Sequence, residues 1–192
     1  MSANGRLSDK EYEQNPPELS GKPGFFTTMQ VEPVLFEQKP VFIQLLNLYF
    51  YDFTEFTNDD IKEHGHFIDH YLDPLWPDDL WKKECFHPFF IRVDGKLAGF
   101  VIVKNGGYMY LDDDNAHNIF EFFVMKKYRR NGVGRFAAET AFDMFGGKWE
   151  VCQMQNNMPA RKFWKSVIAG YTKNDYREVG TENDDMVGFI FK

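Results

Sequence analysis

With 192 residues the chain is long enough to bury a proper core and short enough to form one domain. Aromatic residues make up 18% of it, so the core is expected to be rich in rings. A net charge of −7 leaves no dominant basic surface to neutralise phosphates, which argues against a general nucleic-acid binder and suits cationic small partners better.

The first stretch, MSANGRLSDKEYEQNPPELSGKPG, is polar and broken by Pro16, Pro17 and Pro23. It has no apolar h-region, so residues 1–28 are expected to form a tail or loosely docked arm rather than a secretory signal. Residues 29–38 read as a first strand. Residues 40–53 (PVFIQLLNLYFYDF) read as a helix, with Pro40 suited to its first turn. Residues 64–84 read as helical in pieces, interrupted by Pro74 and Pro77. Within them His66 and His70 stand four apart with His64 adjacent, which fits a polar helix face better than a metal site.

PFFIRV-DG-KLAGFVIV follows, and Asp94-Gly95 between two β-rich runs is a strong hairpin signal. Asn105-Gly106-Gly107 closes the second run. YMYL and the acidic triplet Asp112, Asp113, Asp114 come next. The triplet is able to attract a cationic amine, but a solvated turn is the plainer reading. NIFEFFVM is a further strand, and the segment after it carries Ala137, Ala138, Ala141, Phe142 and Phe145 at helical spacing up to Gly146-Gly147. WEVCQMQ is another strand, Asn157 is placed to cap a helix (MPARKFWKSVIA) ending at Gly170, and two last strands are expected near 171–179 and 186–191. The order predicts a mixed α/β sheet in a single domain over 29–192. Cys85 and Cys152 lack disulfide or zinc spacing, and Cys152, mid-strand, reads as core rather than nucleophile. Apolar runs such as LAGFVIV are too short to span a bilayer. A soluble cytoplasmic protein is expected, without a membrane or nucleic-acid partner.

The strand-to-helix stretch FVMKKYRRNGVGRF carries the functional signal. Backbone N–H groups converge where a strand turns through glycines into a helix, and the helix N-terminus adds partial positive charge. Gly132 and Gly134 let an anion approach the main chain, with Arg129 and Arg130 nearby. The plainer reading is an ordinary turn with surface arginines. Gly132, Gly134 and Ala137 also fit the dinucleotide pattern G-x-G-x-x-G/A, but that unit comes early in its fold with an acid ending the next strand, whereas Glu150 stands near the start of its strand.

Val124 to Gly134 resembles the acyl-CoA signature of the GNAT superfamily of N-acetyltransferases, Q/R-x-x-G-x-G/A after a strand ending in valine. Asn157-x-x-Ala160-x-x-Phe163 is similar to that family's second signature. The resemblance implies the GNAT fold and acetyl-CoA as cosubstrate. It also implies a primary amine as acceptor, small molecule or peptide. The backbone of Phe122, Phe123 and Val124 would pair with the pantetheine arm. The amides of Arg129, Arg130, Asn131, Gly132, Val133 and Gly134 would hold the pyrophosphate, with Asn157 and Phe163 near the arm. The Val124 N–H would be the oxyanion donor. Glu121 is a charge in an apolar strand, read as sharing a face with Ile119 and Phe123. Burial would raise its pKa and suit it as general base, the role a glutamate on this strand often has in the family. Trp164 stands where many members carry a tyrosine as general acid, which leaves that step unassigned, with Tyr171 the nearest phenol in sequence. A non-catalytic acyl-CoA-binding module is the alternative. The oligomeric state stays open, a homodimer among the options.

Overall fold

The computed structural model describes residues 27–63, 65–67 and 81–192. Seven strands form one mixed sheet: β1 (Met29–Pro33), β2 (Phe86–Val93), β3 (Lys96–Asn105), β4 (His117–Val124), β5 (Trp149–Met154), β6 (Tyr176–Val179) and β7 (Met186–Phe191). Their spatial order is β1-β2-β3-β4-β5-β7-β6. All neighbours are antiparallel except β4 and β5, which run parallel because a helix intervenes between them. Among the described residues the α-helices are α1 (Lys39–Phe53), α2 (Val133–Phe145) and α3 (Met158–Tyr171). Among the described residues no helix is long and apolar enough to cross a membrane.

The apolar spacing dictates which face each helix covers. In α1 the buried side chains Phe42, Leu45, Leu46 and Tyr49 recur at helical intervals and pack on Phe90, Phe100, Ile102 and Phe123. Ala138, Ala141 and Phe142 of α2 join Trp164, Val167 and Ile168 of α3 against Trp149, Val151 and Phe189 on the other side. The sheet is therefore sandwiched, α1 on one face and α2 with α3 on the other.

Asp94 and Gly95 both take positive φ, as the two-residue hairpin turn requires. The Asp94 carboxylate also accepts from the N–H groups of Thr27 and Thr28, tying the start of the described chain to this turn, and those bonds lower its pKa.

Several expectations need correction. The first strand stops at Pro33, and a single 3-10 turn, Phe36–Gln38, leads into α1. The last helix runs through Gly170 to Tyr171, because the rings of Phe142 and Phe191 hold Tyr171 against the core, so the sixth strand starts only at Tyr176. His64, His70, Pro74 and Pro77 lie outside the described residues.

Candidate active site

The sheet opens at its centre. β4 and β5 are paired at His117–Trp149 and Asn118–Glu150, and beyond those two pairs they diverge. Met125 N–H donates to the Ala98 carbonyl of β3 at 2.8 Å. Amides alternate along a strand, so Phe122 and Val124 turn their N–H and C=O groups away from β3, toward the gap. A strand edge without a neighbouring strand thus lies inside the molecule, in reach of an extended, amide-bearing chain.

A bulge decides which face of the sheet Glu121 takes. Ile102 pairs with Glu121 but Val103 pairs with Ile119, so Phe120 is the extra residue in β4. The bulge resets the alternation. Ile119 joins the core under α2 and α3, whereas Phe120 and Phe123 join the core under α1. The expected common face of Ile119, Glu121 and Phe123 therefore holds for the last two only. Glu121 accepts a hydrogen bond of 2.5 Å from the Tyr49 hydroxyl of α1. Tyr49 is itself enclosed by the rings of Phe50, Phe53, Phe100 and Phe123. Burial drives the Glu121 carboxyl up, the Tyr49 donor offsets part of that, and the result is a pKa of about 7.

The glycine loop divides its labour. Gly132 has φ +82, and a Cβ added there would meet no atom within 4 Å. Backbone conformation, not crowding, calls for glycine, and the space outside is open to a ligand. The N–H groups of Val133, Gly134 and Arg135 open α2 and have no acceptor within the helix. Gly134 serves packing instead: a Cβ there would stand 3.1 Å from the ring of Phe163. Phe163 stacks on Phe122 at 5.7 Å, and Trp164 meets both rings edge-on. The amide of Asn131 donates to the Arg129 carbonyl, and Arg130 is exposed at positive φ. Arg129 is not a free charge in the loop. Its Nε donates to the Val124 carbonyl at 2.6 Å, it pairs with Asp52 of α1, and its guanidinium covers the Phe123 ring. Asn157 caps α3, its Oδ1 accepting from Ala160 N–H at 3.0 Å.

Glu150 explains why YMYL is not a strand. Its carboxylate is wholly buried and accepts from the N–H groups of Tyr108 (2.7 Å), Met109 (2.9 Å) and Tyr110 (2.8 Å), and Cys152 Sγ approaches at 3.3 Å. Burial alone would raise the Glu150 pKa, but these donors outweigh it and hold the group below its ordinary value. The loop wraps the carboxylate and brings the Tyr108 ring to 6.2 Å from Phe120, beside Glu121. Burial first, then the Glu121 charge, raises the Tyr108 pKa. The acid that a dinucleotide site would need is thereby used inside the fold. Burial pushes the Cys152 thiol up, and neighbouring Glu150 adds to it, which disfavours the thiolate that a nucleophile needs.

Tyr171 is not placed as an acid either. Its hydroxyl donates to Asp143, its ring packs on Phe142 and Phe191, and burial with that bond pushes its pKa up to about 12. Within the acidic triplet, Asp113 accepts from the Asn115 N–H and faces Lys148 at 3.5 Å, while Asp112 and Asp114 are exposed. Among the described residues no group of three or more His, Cys, Asp or Glu is arranged to hold a metal ion. Nothing local in the sequence marks Tyr49, Tyr108 or Glu150 as belonging to this region. Their roles depend on contacts made across 72 and 42 positions of chain.

The family model described as "Acetyltransferase (GNAT) family" matches residues 46–168. No curated protein matches the sequence. Among solved structures, an acetyltransferase from Thermus thermophilus superposes with a TM-score of 0.60 at 13% identity, covering 85% of this chain and 96% of that one. PaiA N-acetyltransferase from Thermoplasma acidophilum, crystallised with coenzyme A, gives 0.58 at 11% identity over 84% and 98% of the two chains. The ribosomal-protein-S18-alanine N-acetyltransferase from Escherichia coli gives 0.51 at 13% identity over 85% and 91%. At these identities the likeness is one of fold.

Proposed function

Because the chain belongs to the GNAT acetyltransferase family, as an N-acetyltransferase dependent on acetyl-CoA, we propose that it moves the acetyl group to a primary amine by direct attack at the mouth of the β4–β5 gap. Acetyl-CoA supplies the activated acyl group as a thioester. Residues 29–192 form the catalytic domain in this reading. The acceptor is an amine on a small molecule or a protein, as in the family at large.

The pair Tyr49–Glu121 carries the proposal. A carboxyl with a pKa of about 7 is partly ionised at neutral pH, yet basic enough to take a proton from an ammonium or attacking amine, directly or through water. Val124 lies three residues on, its N–H facing the gap as an oxyanion donor, and Arg129 anchors the carbonyl of the same residue. The N–H groups from Gly132 to Gly134 suit the pyrophosphate, and the edge at Phe122, Phe123 and Val124 suits the arm. Arg130 lends its charge there, while Arg129 acts through its hold on Val124. Asn157 and Phe163 contribute by shaping α3 beside the gap. Trp164 packs in the core with Phe122, so its replacement of a tyrosine does not argue for a non-catalytic acyl-CoA-binding module.

The test is thiol release from acetyl-CoA against a panel of primary amines, small molecules and peptides. Amine-dependent release that Glu121→Gln suppresses supports the reading. Coenzyme A binding without release for any amine would favour the non-catalytic module.

A further inference from the structure

The buried polar side chains among the described residues are Asn118, Glu150, Gln153 and Asn157, and all four belong to β4, β5 or the turn that leaves β5. Three of them make hydrogen bonds through their side chains, although Asn118 Oδ1 has no partner. Asn118 donates to the carbonyls of Lys104 and Gly106, Glu150 is wrapped by the 108–110 loop, and Asn157 caps α3. Gln153 is different. It is 6% exposed, and neither its Nε2 nor its Oε1 has a hydrogen-bond partner, the one described residue with both polar side-chain atoms in that condition. A buried side-chain amide left unpaired costs stability, so its presence calls for a reason.

Its position supplies one. Trp149 and Val151 face the core under α2 and α3, and β5 keeps a regular register with β7, so Gln153 faces the same way. Continuing the β4–β5 register from Asn118–Glu150 brings Gln153 level with Glu121 and Phe122, where the two strands have already parted. The amide therefore stands on the β5 side of the gap, opposite the open backbone edge of β4. A group there able to use both a donor and an acceptor must itself offer both.

We propose that Gln153 is a binding residue for the arm of acyl-CoA, its Nε2 donating to an amide carbonyl of the pantetheine chain and its Oε1 accepting from the N–H of the chain's other amide. This rests on the acyl-CoA reading above. β4 would then hold one side of the arm through its main chain and β5 the other through this side chain. The unpaired amide is the cost, in the ligand-free protein, of a contact completed on binding.

Calorimetry separates the arm from the rest of the ligand. Wild type, Gln153→Met and Gln153→Leu are titrated with coenzyme A and with its nucleotide half lacking the arm, 3′-phospho-ADP. Both variants should lose affinity for coenzyme A on the order of tenfold, while 3′-phospho-ADP affinity stays within about twofold. The ligand-free melting temperature should match or exceed that of wild type, since an unpaired amide has been removed. Full coenzyme A affinity in the variants, an equal loss for both ligands, or a lower melting temperature in both variants would overturn the proposal. Wild type that binds neither ligand would overturn the acyl-CoA reading and this one together. Wild type that binds both, without selective loss in the variants, would overturn this one alone.

Discussion

The Tyr49 hydroxyl meets Glu121 at 2.5 Å across 72 residues of chain, and this contact joins α1 to β4. It sets the ionisation of the site from two directions. Burial favours the neutral acid and the tyrosine donor favours the carboxylate.

Glu121→Gln should leave acetyl-CoA affinity unchanged and lower kcat/KM on the order of 10²-fold, with the acid limb of the wild-type pH profile, centred near pH 7, flattened. Stability should move the other way. The folded pKa of Glu121 is raised from 4.5 to about 7, so its stabilising contribution is present below the unfolded value and is lost as pH rises through 7. At pH 8 the glutamine variant should exceed wild type in stability by up to about 3 kcal/mol. Denaturant melts at pH 5 and pH 8 check the sign, and a wild-type rate across pH 6 to 9 would point to another base.

Tyr49→Phe removes the donor that lowers the Glu121 pKa. The acid limb of the pH–rate profile should shift to higher pH, so activity at pH 7 falls and recovers as pH rises. A profile that keeps its midpoint would mean that the bond does not act on the ionisation of Glu121.

The two glycines should respond differently. Gly132→Val forces a branched side chain to positive φ, at a cost of about 1–2 kcal/mol, and places it in the space left for an anion, so acetyl-CoA affinity should fall. Gly134→Val pushes on the Phe163 ring and should lower the melting temperature along with affinity. Calorimetry with thermal melts separates them. Unchanged acetyl-CoA affinity in both variants would remove the loop from the site.

Trp164→Phe should cost little in the acetyl-transfer step, since the indole lies in the core against Phe122 and Phe163. Trp164→Ala should lose about 3–5 kcal/mol of stability. Single-turnover rates on folded, acetyl-CoA-saturated protein make the test. A selective collapse of the chemical step in Trp164→Phe would place the indole in the chemistry.

Features encoded within a few residues were legible in the sequence: the Asp94-Gly95 turn, the Asn157 cap, the glycines opening α2, and the charge of Glu121 in an apolar strand. Features that depend on pairing were not. The bulge at Phe120 exists only relative to β3, and nothing in NIFEFFVM marks which residue is extra. Tyr49 is one of several aromatics in the α1 sequence, and only the fold sets it against Glu121. YMYL has the composition of a strand, but a buried carboxylate forty residues on captures its amides. Arg129 fits the signature by spacing, yet Asp52 and the Val124 carbonyl decide where its charge goes.

The two residue pairs that join β4 to β5 have a dynamic consequence. The sheet should behave as two panels, β1–β4 and β5–β7, riveted at one end by the pairs His117–Trp149 and Asn118–Glu150 and held elsewhere by α2 and α3. The amide protons of Phe122 and Val124 face the open end of that rivet, so in the ligand-free protein they should exchange with solvent as edge protons do, though they lie mid-sheet. A bound chain filling the gap would turn the two panels into one continuous sheet, and its arrival should register first as slowed exchange at these two positions.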